Sequence, residues 1–269
     1  MTHQLVALVT GASSGIGRSI ASRLAAGGYR VFGTSRNPAK AAQLTGVTFL
    51  PLDVTDDTSA RSCVRSVMDQ AGRIDVLVNN AGIAVMGALE EVPLSEVKKQ
   101  FETNYFGVVR VTQAVLPVMR GQRSGWIINI GSIAGLVPIP FAGHYSASKY
   151  AIEGLTEALR AEVMGLGIRV ALVEPGFFKT ELVSAATSAD GSIADYREVR
   201  NRVLSRVQDI EEAAPPPTAV ADLVLRLARD PKPSLRHPVG KEKIFATLKR
   251  FLPAAMFEPQ GWKYWKVAV

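Results

Sequence analysis

Tyr145 and Lys149 stand four residues apart in Tyr145-Ser146-Ala147-Ser148-Lys149, and on a helix that spacing sets both side chains on one face. A phenol with a pKa of about 10 is a poor proton carrier at neutral pH unless a nearby cation favours its phenolate. Such a pair suits general acid–base chemistry, which works best when the pKa of the group lies close to the working pH. Tyr-x-x-x-Lys alone also describes an ordinary helix face, so its neighbours decide its meaning. Ser132 ends the run Asn129-Ile130-Gly131-Ser132, Asn80 lies in Asn79-Asn80-Ala81-Gly82, and Pro175-Gly176-Phe177-Phe178-Lys179-Thr180 follows another apolar run. Asn104, in Asn104-Tyr105-Phe106-Gly107, sits inside a long helical pattern, where Asn is a modest helix former.

A second constellation opens the chain. Thr10-Gly11-Ala12-Ser13-Ser14-Gly15-Ile16-Gly17 follows an apolar run and leads into a helical pattern. Glycines allow a tight turn there and let backbone N–H groups approach a pyrophosphate, which the helix N-terminus favours electrostatically. The spacing is Gly-x-x-x-Gly-x-Gly, not the Gly-x-Gly-x-x-Gly fingerprint, and Ile20 holds the third glycine's place. NAD enzymes commonly set an acid after the second strand to hold the ribose, whereas NADP enzymes offer Arg to the 2′-phosphate. Here Ser35 and Arg36 occupy that point, and no Asp or Glu occurs between Met1 and Leu52. The planar guanidinium fork matches a phosphate, so NADP(H) is the expected cofactor; Arg36 as a solvated loop charge is the competing reading.

The elements that must position these groups follow from hydrophobic patterning. Nearly continuous apolar runs at 4–10, 30–35, 48–52, 75–79, 125–131 and 169–174 read as strands buried on both faces. Helical patterns at 15–26, 58–71, 94–120 and 148–166 separate them. That alternation predicts an α/β protein: one Rossmann-type domain over 1–269, a doubly wound parallel sheet with helices on both faces. The candidate residues then gather at the strands' C-terminal edge, where open α/β sheets bind ligands. Residues 183–214 are polar and helical, and Pro215, Pro216 and Pro217 break the pattern before further helices at 219–229 and 241–251 and a short strand near 235–239. An insertion of that length reads as a substrate lid, and 241–269 as a C-terminal extension.

Bulk properties exclude several classes. The 269 residues carry 31 Lys and Arg against 24 Asp and Glu, a net charge of +7, with the basic residues dispersed. No basic run of about five or more appears, which argues against a nucleic-acid partner. No apolar run reaches the roughly 18 residues of a membrane span. The apolar stretch near the start leads straight into the glycine loop and does not read as a signal peptide, so a soluble cytoplasmic protein is expected. The single cysteine, Cys63, falls in a helical pattern with no ligand cluster around it and reads as a buried thiol. No metal is expected.

Taken together, these motifs resemble the classical short-chain dehydrogenase/reductase family: TGASSGIG at 10–17, Asp53, NNAG at 79–82, Asn104, Ser132, YSASK at 145–149 and PGFFKT at 175–180. They occur in family order across roughly residues 4–180. The resemblance implies a catalytic set of Asn104, Ser132, Tyr145 and Lys149. Ser132 would bond the substrate oxygen, Tyr145 would exchange a proton, Lys149 would lower the Tyr145 pKa and hold the nicotinamide ribose, and Asn104 would hold a relay water. It also implies a cofactor site of Gly11, Ser13, Ser14, Gly15, Ile16, Gly17, Ser35, Arg36, Asp53, Val54, Asn80, Ala81, Gly82, Pro175, Gly176 and Thr180, shared with Tyr145 and Lys149, and a structural role for Asp75. Pairing of helices at 94–120 and 148–166 across a two-fold axis would give a homodimer or homotetramer.

The tail, with Pro253, Trp262, Tyr264 and Trp265, resembles the hydroxysteroid and retinol dehydrogenase-like branch more than the ketoreductases of fatty-acid synthesis. Ile83, Val85, Met86, Leu136, Val137, Ile139, Phe141, Phe177 and Phe178 lie in the strand-end loops, predicting a mostly apolar pocket with His144 as one candidate polar contact. The expected substrate is a lipophilic ketone, aldehyde or secondary alcohol, steroid-like or retinoid-like. A small polar carbonyl, a 3-ketoacyl thioester, and an NADP(H)-binding regulator without turnover are the alternatives. Pro253 and Pro259 should interrupt any long amphipathic helix in the tail, so packing against the body is its expected role, with membrane docking as the competing one.

Overall fold

The computed structural model describes residues 4–188 and 193–267. Along the chain run β1 (Val6–Val9), α1 (Gly15–Ala26), β2 (Arg30–Ser35), β3 (Val47–Pro51), α2 (Asp57–Ala71), β4 (Val76–Asn79), β5 (Val85–Met86) and α3 (Leu94–Phe101). There follow α4 (Gly107–Gln122), β6 (Gly125–Ile130), α5 (Gly143–Val163), β7 (Ile168–Pro175), β8 (Thr187–Ser188), α6 (Arg197–Glu212), α7 (Thr218–Leu227), β9 (Arg236–Val239), α8 (Lys243–Phe251) and α9 (Ala254–Tyr264).

Seven strands form one parallel sheet in the order β3-β2-β1-β4-β6-β7-β9. Strand order reverses between β1 and β4, which opens a crevice at their C-terminal ends. Alternate strand residues face opposite layers. Val9, Val78 and Val173 pack under α1 and α7, while Leu8, Leu77 and Val170 pack under α2, α4 and α5. Cys63 lies in the second layer, and burial pushes its thiol up to about 11. At the strand ends the interior turns polar. Asn79 Nδ2 donates to Thr112 Oγ1 at 3.0 Å and to Asn129 Oδ1 at 2.9 Å, and Asn129 Nδ2 donates to Thr156 Oγ1 at 2.9 Å. These bonds tie β4 and β6 to α4 and α5 and fix the edge from which the chemistry projects. At the opposite edge Asp75 accepts from the Val6 N–H at 2.8 Å and pairs with Arg73, a structural role.

The structure departs from the sequence expectation in four places. The helix expected over 94–120 is broken by a π-helical turn at Glu102–Phe106 that contains Asn104; such turns often mark functional sites. α5 begins at Gly143, not near Ser148, because Ala142 at its N-terminus makes no capping bond that the sequence would advertise. The segment expected as a lid, residues 183–214, is helical only from its middle: β8 pairs in parallel with β5, a turn at Ala194–Tyr196 follows, and α6 comes next. Residues 189–192 of the expected lid and 268–269 of the expected extension lie outside the described residues. Pro253 separates α8 from α9 as expected, but α9 continues through Pro259. One lost backbone bond is tolerated there because Phe245, Tyr264 and Trp265 stack against one another and the body.

Candidate active site

Ser132 leaves β6 in extended conformation, and its Oγ accepts from the Ala134 N–H at 3.1 Å, which starts the turn Ile133–Gly135. That turn sits against α5: a Cβ on Gly135 would meet the Lys149 carbonyl oxygen at 2.9 Å, so glycine permits the contact. α5 in turn presents Tyr145, which lines the same cavity as Ser132 and feels the Ser132 hydroxyl electrostatically. One helical turn on, Lys149 is buried, its Nζ donating to the Ile130 carbonyl at 3.0 Å and standing 5.8 Å from the Tyr145 ring centre.

Burial dominates the electrostatics of this pair. It pushes the Tyr145 phenol up, with the Ser132 hydroxyl pulling the other way, and it pushes Lys149 down to about 8. Burial is thus the largest influence on Tyr145. The ammonium is held by Ile130, and desolvation favours the neutral form of both groups. Asn104 is fully engaged: its Oδ1 accepts from the Ile83 N–H at 2.9 Å, and its Nδ2 donates to the Ile83 carbonyl at 2.9 Å and to Ser148 Oγ at 3.0 Å. It clamps the loop after β4 onto α5.

A cavity of about 550 Å³ runs along the strand ends and brings together Ser132, Tyr145 and Lys149 with Gly11, Ser13, Ser14, Gly15, Ile16, Ser35, Arg36, Asp53, Val54, Asn80, Ala81, Gly82, Pro175, Gly176 and Thr180. Gly17 and Asn104 are not in its wall. Gly17 is a packing glycine, since a Cβ there would lie 2.2 Å from the Gly11 carbonyl oxygen and 2.3 Å from Asn80 Nδ2. Asn80 Nδ2 donates to the carbonyls of Thr10 and Gly11 at 3.0 and 3.1 Å, and Thr10 Oγ1 accepts from the N–H groups of Asn80 and Ala81. Thr10 is thus a bridge across the switch point that sequence reasoning missed. Gly11 and Gly15 lie at φ +64 and +53, and a Cβ on Gly11 would touch Ala81 at 2.9 Å. This cradle, followed by the N-terminus of α1, fits the pyrophosphate of a dinucleotide. At its outer end Arg36 is exposed, and Asp53 is held low by the Thr55 hydroxyl and N–H and, more weakly, by Arg36.

The other half of the cavity is mostly apolar. Of the predicted pocket residues, Ile83, Met86, Val137, Ile139, Phe177 and Phe178 line it. Val85, Leu136, Phe141 and His144 do not: Val85 lies in the β5 ladder, and Phe141 packs edge-on against Tyr196. Sequence reasoning missed the lining residues Val207 of α6, Phe245 of α8, Phe257, Gly261 and Tyr264 of α9, and Trp265. Their only signal was helical spacing, Phe257, Gly261 and Tyr264 falling at i, i+4 and i+7. Among the described residues no group of three or more His, Cys, Asp and Glu is placed to hold a metal.

The family model for short chain dehydrogenases matches residues 5–191. The chain belongs to the short-chain dehydrogenase/reductase family. It is 40% identical to 3-ketodihydrosphingosine reductase of Bacteroides thetaiotaomicron, over 96% of each chain. It is 35% identical to NADPH-dependent 3-dehydrocapnine reductase of Ornithobacterium rhinotracheale, over 94% of each. Human 17-beta-hydroxysteroid dehydrogenase type 1 is 33% identical, the match covering 96% of this chain and 83% of the relative, and it places this short-chain dehydrogenase/reductase in the hydroxysteroid dehydrogenase-like branch. The crystal structure of a short-chain dehydrogenase from Streptomyces avermitilis superposes with a TM-score of 0.83 at 34% identity, over 97% of both chains. The chain is accordingly an oxidoreductase of a family that binds nicotinamide cofactors.

Proposed function

We propose that this short-chain dehydrogenase/reductase is NADP(H)-dependent and interconverts a lipophilic ketone and its secondary alcohol. The observation that carries the proposal is that Ser132, Tyr145 and Lys149 share one cavity wall, set where a glycine-lined crevice opens into an apolar cavity. The nicotinamide, when bound, supplies or accepts the hydride. Ser132 holds the substrate oxygen. Tyr145, kept protonated by burial, donates its proton to that oxygen during reduction and recovers it in the reverse direction. Lys149 holds the nicotinamide ribose beside Tyr145. Asn104, its amide engaged with Ile83 and Ser148, holds the loop after β4 in place beside α5.

NADP(H) is favoured by Arg36 at the mouth of the crevice, a planar cation beside the site of the adenine ribose, and by the NADPH dependence named for the dehydrocapnine reductase. Among substrates, the two bacterial relatives named for 3-keto lipids favour a long-chain ketone over the steroid-like or retinoid-like molecule expected from sequence. Steady-state assays on a homologous series of ketones, each with NADPH and NADH, test both parts. The expected result is a kcat/KM that favours NADPH and rises with chain length. Preference for NADH sinks the cofactor assignment, and a flat series sinks the substrate class. We also propose a homodimer or homotetramer through α4 and α5, near which Leu94, Phe106 and Tyr150 are exposed; light scattering showing only a 28.9 kDa species would overturn it.

A further inference from the structure

Five of the eleven large hydrophobic side chains exposed among the described residues fall in the last two helices. Ile244, Leu248 and Phe251 on α8 are spaced i, i+4 and i+7 and form one stripe. On α9 the exposed residues include the apolar Met256, Pro259 and Trp262 beside the polar Glu258, Gln260 and Lys263, while Phe257, Gly261 and Tyr264 line the cavity. α9 is therefore a wall one helix thick, lining the cavity on one side and exposing Met256 and Trp262 among polar residues on the other. Scattered surface hydrophobics are ordinary, but a contiguous patch marks an interaction site.

The charge around the patch selects the partner. Residues 241–267 carry six cations, Lys241, Lys243, Lys249, Arg250, Lys263 and Lys266, against only Glu242 and Glu258. Glu242 turns inward, where it accepts from the Phe177 N–H at 3.2 Å. Lys249 spends its donors on the Leu136 carbonyl and the Tyr150 hydroxyl, both at 2.6 Å, and Lys266 lies 3.8 Å from Asp209. Lys241, Lys243 and Lys263 have no acidic partner among the described residues, and Arg250 lies 5.6 Å over the Phe251 ring. A second copy placed face to face on this patch would set cation against cation. Short helices with an apolar stripe and basic flanks suit the interface of an anionic bilayer, where aliphatic and aromatic side chains enter the acyl boundary and cations meet phosphates.

We propose that the outer face of α8 and α9 docks on the surface of an anionic lipid bilayer, and that substrate passes from the bilayer into the cavity beside α9. Docking itself is independent of the substrate; the passage rests on the lipophilic-ketone reading. The test is flotation of the full chain, without substrate, on phosphatidylcholine vesicles with and without about one third phosphatidylglycerol. Binding should require the anionic lipid and weaken in roughly 1 M salt. Phe251→Glu with Trp262→Glu, both exposed and outside the cavity wall, should reduce the bound fraction about tenfold or more, and Lys243→Gln with Lys263→Gln should do the same. Turnover of a short water-soluble ketone should be unchanged in both variants, which also shows that they fold, while turnover of a long-chain ketone delivered in vesicles should fall with binding. No binding, or binding indifferent to either pair, overturns the docking. A change of oligomeric state in the first variant assigns the patch to a second copy and overturns it too. Docking without any effect on vesicle-delivered turnover overturns the passage alone, and a flat ketone series in solution is a failure of the substrate reading that leaves docking standing.

Discussion

The first two thirds of the chain and its last third meet in one cavity and furnish it differently. From β1 to β7 the wall is made of strand ends and tight turns, and the groups offered are hydroxyls, amides, backbone N–H groups and one buried cation. From α6 to α9 it is made of amphipathic helices, and the groups offered are mostly aromatic and aliphatic. A strand end fixes a side chain through the ladder on both sides, as the Asn79–Asn129 bond shows at 2.9 Å. A surface helix fixes only which of its faces is dry. On the proposed function, chemistry belongs to the rigid part and selectivity to the adaptable part, and the two should be separable by mutation.

The sharpest break falls on the rigid side. Tyr145→Phe keeps the ring and removes the transferable proton, so kcat should fall by about 10²-fold or more for every ketone, whatever its length. NADPH binding, followed by nicotinamide fluorescence, should persist. A loss confined to long substrates would erase the division between the two regions. The next effect also belongs to the rigid side. Arg36→Asp removes the proposed phosphate partner and supplies an acceptor for a ribose hydroxyl, so the ratio of kcat/KM for NADPH to that for NADH should fall by about tenfold or more. An unchanged ratio would make Arg36 a solvated loop charge.

The same division explains what the sequence made legible. The bounds of β2 and α1 can be read directly because buried strands are continuously apolar and helices repeat every few residues. Ser132, Tyr145 and Lys149 could be gathered at one edge because parallel strand ends impose that geometry. The π-helical turn had no signature beyond an out-of-place Asn104, since the apolar period on either side of it is unchanged and only its phase shifts. The start of α5 was missed for want of a capping side chain. The far wall was not legible at all. Helical spacing in α9 says that Phe257, Gly261 and Tyr264 share a face, but not that this face meets Phe177 and Met86, more than seventy residues away in the chain.

A smaller effect should come from the adaptable side. Phe257→Ala removes one aromatic lining residue that is only half buried. Losing such a contact amounts to about 1–3 kcal/mol of transition-state binding, so kcat/KM for a long-chain ketone should fall by roughly tenfold. A short ketone that never reaches α9 should be used as before. Equal losses on both would mean that α9 supports the catalytic groups themselves.

The last and smallest effect on turnover lies on the seam between the regions. Glu174 ends β7 fully buried, beside Glu153 of α5, whose carboxylate pairs with Arg236 of β9 at 2.8 Å. Burial first, and Glu153 second, push the Glu174 carboxyl up from 4.5 to about 8. The sign follows from proton counting. Between those two values the folded chain keeps a proton that the unfolded chain has released, so stability falls as pH rises through that window. Below it both states are protonated and the group contributes no pH dependence. Glu174→Gln keeps the shape and cannot ionise, so the variant should gain on the parent as pH rises. The difference should be small near about pH 4 and reach a few kcal/mol, to order of magnitude, above about pH 8. Urea unfolding midpoints across that range make the measurement, with short-ketone turnover as the control that should not move. Parallel pH profiles for parent and variant would show that the carboxyl ionises normally, and that the seam is held by the Glu153–Arg236 pair without a buried neutral acid behind it.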